Sequence, residues 1–110
     1  MAFKLVFLNK LAVAVKGVLP DESGKPMAFE FKLHCKRLNQ DEIEAVTHDK
    51  KGEVKDFIRK VAQGWDDMLD EEGNPLPFSA EKLEQLLNIA GMPVLVMRAY
   101  LEQIAATAKN

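Results

Sequence analysis

The sequence predicts an α+β fold, an N-terminal antiparallel β-hairpin or meander of two to three strands packed against about four short α-helices. Three observations predict it. Residues 29–37 alternate strictly, with Phe29, Phe31, Leu33 and Cys35 on one side and Glu30, Lys32, His34 and Lys36 on the other. That is the period of a strand with one buried and one wet face. A dense group of turn formers, Leu19 to Pro26, separates this run from an earlier one, as in a hairpin with a longish loop. Farther on, Val54, Phe57, Ile58 and Val61 recur at i, i+3, i+4 and i+7, a single apolar stripe of helical period.

Taken in order, the elements are these. Phe3, Leu5 and Phe7 suggest a short strand, separated by Asn9-Lys10 from a second strand carrying Leu11, Val13 and Val15. The strand of residues 29–37 follows, completing a β region over 1–38. Residues 39–64 read as helices. Asn39 with Glu42 three residues later is a reciprocal capping box, opening a short helix with Ile43 and Val46 that weakens near Thr47-His48-Asp49. A second helix is expected from about Gly52 to Gln63, stopped by Gly64 as a left-handed residue just past its end. Residues 65–78 hold five carboxylates, no basic residue, two prolines and one glycine. They read as an acidic loop with a reverse turn at Asp70–Asn74. In 79–107, Ser79 caps a third helix running to about Ala90 with Leu83, Leu86 and Leu87 inward. Gly91 ends it, and Pro93 opens a fourth that runs to around Ala106.

At 110 residues with 47% apolar and 29% charged side chains, the chain is expected to form a single domain, residues 1–110, with one core. The net charge of −2 hides an asymmetry: residues 1–64 carry 12 basic and 9 acidic groups, residues 65–110 carry 3 and 8. Neither half is basic enough for a nucleic-acid surface. The imbalance is either an uneven solvated surface or a means of steering a charged partner or aligning neighbouring copies head to tail. Cys35 is the only cysteine, so no internal disulfide is expected, which favours a reducing compartment. The longest apolar run, Met92 to Met97, is far short of a membrane span. With no basic leader ahead of an apolar stretch, a cytoplasmic location is expected.

A search for chemistry yields little. His34 and Cys35 are adjacent, but on a strand they point to opposite faces, so Cys35 reads as a buried, inert thiol. One Cys and two His make no zinc signature. Aligning Gly73 with the glycine of a calcium-binding EF-hand loop puts Met68 and Ser79 at the two anchoring ligand positions, and neither can serve. There is no Gly-rich phosphate loop and no nucleophile elbow. No catalytic, cofactor-binding or metal-ligating residue is assigned, no cofactor is expected, and the expectation is a protein that is not an enzyme.

What remains is surface. The fourth helix is apolar over nearly its whole circumference. Val94, Met97, Leu101 and Ile104 form one stripe, taken as the one facing the core, while Leu95, Val96, Ala99 and Tyr100 sit on its flank and back. Such a helix is buried on more than one side: it is either central to the core or presents a second face to a partner or to another copy of itself. Trp65, Leu76 and Phe78, with Pro77, either add to that face or plug the gap between sheet and helices. The candidate interaction surface is therefore Leu95, Val96, Ala99, Tyr100, Trp65, Leu76 and Phe78.

With the elements placed, the order of motifs resembles the tail assembly chaperones of long-tailed bacteriophages and prophages. The resemblance is carried by Val13 through the Pro-Asp turn to Phe29-x-Phe31, then Lys36-Arg37-Leu38-Asn39-Gln40-Asp41-Glu42. It continues in Gly64-Trp65-Asp66-Asp67 to Asp70-Glu71-Glu72-Gly73-Asn74-Pro75-Leu76-Pro77-Phe78-Ser79, then Glu81, Leu83, Leu86 and Leu87. It ends in Pro93 to Arg98-Ala99-Tyr100. Together these cover nearly the whole chain. The resemblance implies a protein of the bacterial host cytoplasm that binds the tape measure protein, keeps its apolar segments from aggregating, and helps deliver tail tube protein without entering the virion. In many such phages a ribosomal frameshift near the end of the gene adds a longer product. The alternative is a structural virion component, a tube or connector subunit that stays in the tail; the small hairpin and helical second half argue against a tube.

Overall fold

A computed structural model describes residues 2, 9–48 and 54–105. The expected strand at Phe3, Leu5 and Phe7 lies outside the described residues, as do the expected start of the second helix at Gly52 and the end of the last at Ala106. Strands β1 (Lys10–Pro20) and β2 (Pro26–Lys36) form a hairpin whose antiparallel register runs without a break from Lys10↔Lys36 to Pro20↔Pro26. Val13 and Val15 of β1 and Phe31, Leu33 and Cys35 of β2 are buried, as their alternation predicts. The connecting turn is set by Asp21. Its carboxylate accepts hydrogen bonds from the Ser23 and Lys25 amides, each at 2.9 Å, and from the Ser23 hydroxyl at 2.8 Å. Gly24 takes the positive φ of 84° that the turn needs. These bonds hold the Asp21 carboxyl below the usual carboxylate range, the Ser23 hydroxyl contributing most.

Helix α1 (Gln40–His48) starts at the expected capping box: the Glu42 amide donates to Asn39 Oδ1 at 2.8 Å, and the Asn39 amide donates to Glu42 Oε1 at 3.2 Å. Helix α2 (Val54–Val61) buries Phe57, Ile58 and Val61. It stops short of the expected end at Gln63. Residues 62–66 form a third strand instead, β3 (Ala62–Asp66), antiparallel to the free side of β2, so the sheet order is β1-β2-β3. Gly64 is not a helix stop: it lies opposite His34 in this strand, and its φ is not positive. The reason is tertiary. β2 offers unpaired backbone groups along that edge, and Trp65 reaches the level of Leu33 with its ring half-buried against the core. The pairing passes from His34↔Gly64 to Cys35↔Ala62, leaving Gln63 as the extra residue of a bulge between helix and strand.

The acidic loop after β3 repeats the device of the hairpin turn. Asp70 accepts from the Glu72 and Asn74 amides, each at 2.9 Å, and Gly73 has a φ of 86°. A bridge at Leu69↔Pro75 closes its arms. The expected reverse turn at Asp70–Asn74 is thus present, its leading carboxylate occupied by its own backbone. Helix α3 (Ala80–Leu87) is capped by the Ser79 hydroxyl, which accepts from the Lys82 amide at 3.1 Å. It buries Leu83, Leu86 and Leu87. Gly91, at a φ of 83°, leads into helix α4 (Met92–Ile104) with Pro93 in its first turn.

These elements make the expected α+β arrangement. α4 lies across the inner face of β1, and α2 and α3 pack against α4. α2 is tied to α3 at the surface by Arg59, whose guanidinium donates to both Glu84 oxygens at 2.7 and 2.8 Å and to Asp56 at 2.6 Å. The Arg59 fork holds the Glu84 carboxyl below its ordinary value of 4.5.

Candidate protein-interaction face on the last helix

The inner face of α4 is the row Met92, Val96 and Tyr100, exposed by only 2%, 2% and 1%. Spaced four residues apart, they align on one side of the helix. Tyr100 is the anchor. Its hydroxyl donates to the Lys36 carbonyl at 2.8 Å and accepts from the Leu38 amide at 3.0 Å, fastening α4 to the end of β2. The Phe57 ring meets it edge-on at 5.1 Å. Burial pushes its phenol up from the ordinary value. Leu95 flanks this row against Gly17 of β1. A Cβ on Gly17 would stand 2.7 Å from the Phe29 ring and 2.8 Å from a Leu95 methyl, so the glycine is what admits the helix to the strand.

The opposite side of α4 is only partly covered among the described residues. Val94 is 55% exposed, and with Val54, Met97, Arg98, Leu101, Glu102 and Ala105 it lines a shallow groove of about 490 Å³. A smaller hollow of about 270 Å³ adjoins it across Val94 and Arg98, reaching Gly17, Val18 and Leu19. Val18 is itself 61% exposed. The two form one apolar strip along the helix, interrupted by a cation at Arg98 and an anion at Glu102.

This reverses in part the faces expected from the sequence. Of the stripe Val94, Met97, Leu101 and Ile104, Val94 looks out while the other three are half-buried and packed against the core, whereas Val96 and Tyr100, two of the seven candidate surface residues, are fully in the core. The physical reason is that Arg98 and Glu102 fall on the same side as Val94 and Leu101, and that side must stay wet because neither charge has a buried counterpart. Tyr100, with two backbone partners waiting, can be buried without loss. Those three polar residues carried the signal that would have placed the faces correctly; counting apolar side chains alone missed it. Leu95 and Ala99 lie half-buried on the flanks, packed against the core. Trp65, Leu76 and Phe78 come together elsewhere in the chain: the Trp65 indole donates to the Leu76 carbonyl at 2.7 Å, and its ring meets Phe78 edge-on at 4.9 Å. All three are half-buried. Trp65 and Phe78 pack against the core beside β3, and the bond to Leu76 anchors the acidic loop there.

His34 and Cys35 occupy opposite faces of β2, as their alternation predicts. Cys35 is buried, its thiol pushed up to about 12 by desolvation. His34 faces out and pairs with Asp66 at 2.7 Å. Among the described residues no group of three or more His, Cys, Asp or Glu side chains is placed to hold a metal ion, and no helix is long and apolar enough to cross a membrane. No family model matches this chain, and no curated protein or solved structure does either.

Proposed function

We propose that this protein is a non-catalytic tail assembly chaperone of a long-tailed phage, which binds the tape measure protein and supports assembly of the tail tube around it. The observation that carries the reading is the outer face of α4, an apolar strip with a polar rim, exposed at Val94 and only partly covered among the described residues. Reversible masking of an amphipathic helix needs such a strip and no reactive group: apolar side chains at i, i+3, i+4 and i+7 of the client lie in the groove, while charged residues keep the complex soluble. The order of turn, capping and helix motifs along the chain supports the same reading.

The test is co-expression with helical fragments of a tape measure protein from the same genome. The expected outcome is a soluble fragment that co-purifies with this protein and precipitates without it. No gain in solubility and no complex would remove the reading. Finding the protein in purified particles would favour a structural tail component instead.

A further inference from the structure

We propose that the outer face of α4 pairs with the same face of a second copy of this chain, the helices running antiparallel about a two-fold axis level with Ala99 and Tyr100. On a helix of 3.6 residues per turn, Val94, Arg98, Leu101 and Ala105 fall within a sector of about 60°, with Met97 on one border and Glu102 on the other. Reversing the chain direction about that level sets Val94 opposite Ala105 of the second copy, and Met97 near Leu101. Arg98 then comes within about 1.5 Å, measured along the axis, of the level of Glu102 across the interface. Because flanking residues stay on the same side of an antiparallel pair, Arg98 and Glu102 meet twice, once in each direction. A parallel pair would set like charges level with one another. The strip is therefore self-complementary in one arrangement.

Both charged residues are exposed. They stand one turn apart on the same side, yet none of the five ion pairs among the described residues joins them. An unrelated amphipathic helix has no reason to carry the reciprocal charges at this spacing, whereas a second copy carries them by identity. A single pair of facing helices of 13 residues buries less than the roughly 1,200 Å² of a standard stable interface. The dimer is accordingly weak and exchangeable. The pairing does not depend on the chaperone reading. Where that reading holds, client helix and second copy compete for the same strip.

Sedimentation equilibrium of the full chain alone, from about 5 to about 500 µM, tests it without any client. A reversible monomer–dimer equilibrium is expected. Arg98→Glu and Glu102→Arg should each weaken it about tenfold or more, since like charges then face one another. An equimolar mixture of the two variants should restore association, because opposite charges again meet across the pair. Val94→Asp should abolish it. All three substitutions are at exposed positions, and circular dichroism confirms that the variants are folded; the charge reversals decide the matter even if Val94→Asp does not fold. A monomer at every concentration overturns the proposal, as does a dimer indifferent to both reversals or a mixture that fails to restore association.

Discussion

Along α4 the inner row of Met92, Val96 and Tyr100 and the outer row of Val94, Arg98, Leu101 and Ala105 hold similar numbers of apolar side chains, yet only the first is shut away from solvent. The difference lies in what each row does with its polar atoms. Tyr100 brings one hydroxyl, and the end of β2 supplies both an acceptor and a donor for it. Arg98 brings a guanidinium that burial would strip of water with no buried carboxylate in return. Two helix faces of nearly equal hydrophobicity are thus sorted by their least hydrophobic members, and the losing face is left as an apolar strip on the surface.

The largest effect that can break this contrast is a charge placed in the inner row. Val96→Asp puts a carboxylate at a site 2% exposed, within an apolar core that offers it no cation. A cost above about 4 kcal/mol is expected, enough to unfold a domain whose total stability lies within about 5–15 kcal/mol. Circular dichroism of the purified variant at neutral pH should show loss of native structure. A folded variant would mean that the helix can rotate to offer its other face.

A smaller change sharpens the contrast by touching only the hydroxyl. Tyr100→Phe keeps the ring against Phe57 but leaves the buried Leu38 amide without its acceptor. Destabilisation of about 2 kcal/mol is expected from the orphaned donor, read as a lower urea midpoint at unchanged slope.

Much of the fold was legible in the sequence because local patterns and tertiary contacts agree there. The alternation from Phe29 to Cys35, the Asn39–Glu42 box and the Ser79 cap each predict an element that the structure contains. Residues 62–66 were not legible. Ala-Gln-Gly-Trp-Asp has neither strand alternation nor strong β propensity, and it becomes a strand only because β2 has a free edge beside it. The candidate site was half legible. The over-apolar helix was identifiable from composition, but which side faces out depends on partners for Tyr100 that lie more than sixty residues away in the chain.

Helix α2 touches both rows, giving Phe57 to the inner and Val54 to the groove beside the outer, so the clasp that fixes α2 to α3 offers a finer probe. Glu84 has its carboxyl lowered chiefly by hydrogen bonds from Arg59. A lowered folded-state pKa contributes stability that is present above the unfolded value and lost as pH falls through the folded one. Wild type should therefore lose part of its advantage over Arg59→Gln as the pH drops from about 5 to below the ordinary glutamate value of 4.5. Both groups are at the surface, so the effect should be small and should shrink in high salt. Thermal melts of the two proteins across that range measure it; a difference independent of pH would mean that Arg59 acts by packing its stem rather than by pairing.

The smallest expected effect on stability is the most telling about the outer row. Val94→Asp introduces the same side chain as Val96→Asp, two residues away on the same helix, but at a position 55% exposed and in the first turn of α4. A carboxylate there remains hydrated, and the partial positive charge at a helix N-terminus favours it slightly. The melting temperature of the dilute monomer should stay within the scatter of surface substitutions, about ±0.5 kcal/mol. If Val94→Asp instead destabilised the monomer by several kcal/mol, the groove would be part of the core in solution, closed by some other segment of the chain, and the outer row would not be free to bind anything. A neutral result leaves Val94 without a folding role, so that whatever keeps this exposed position apolar must act through what the strip contacts.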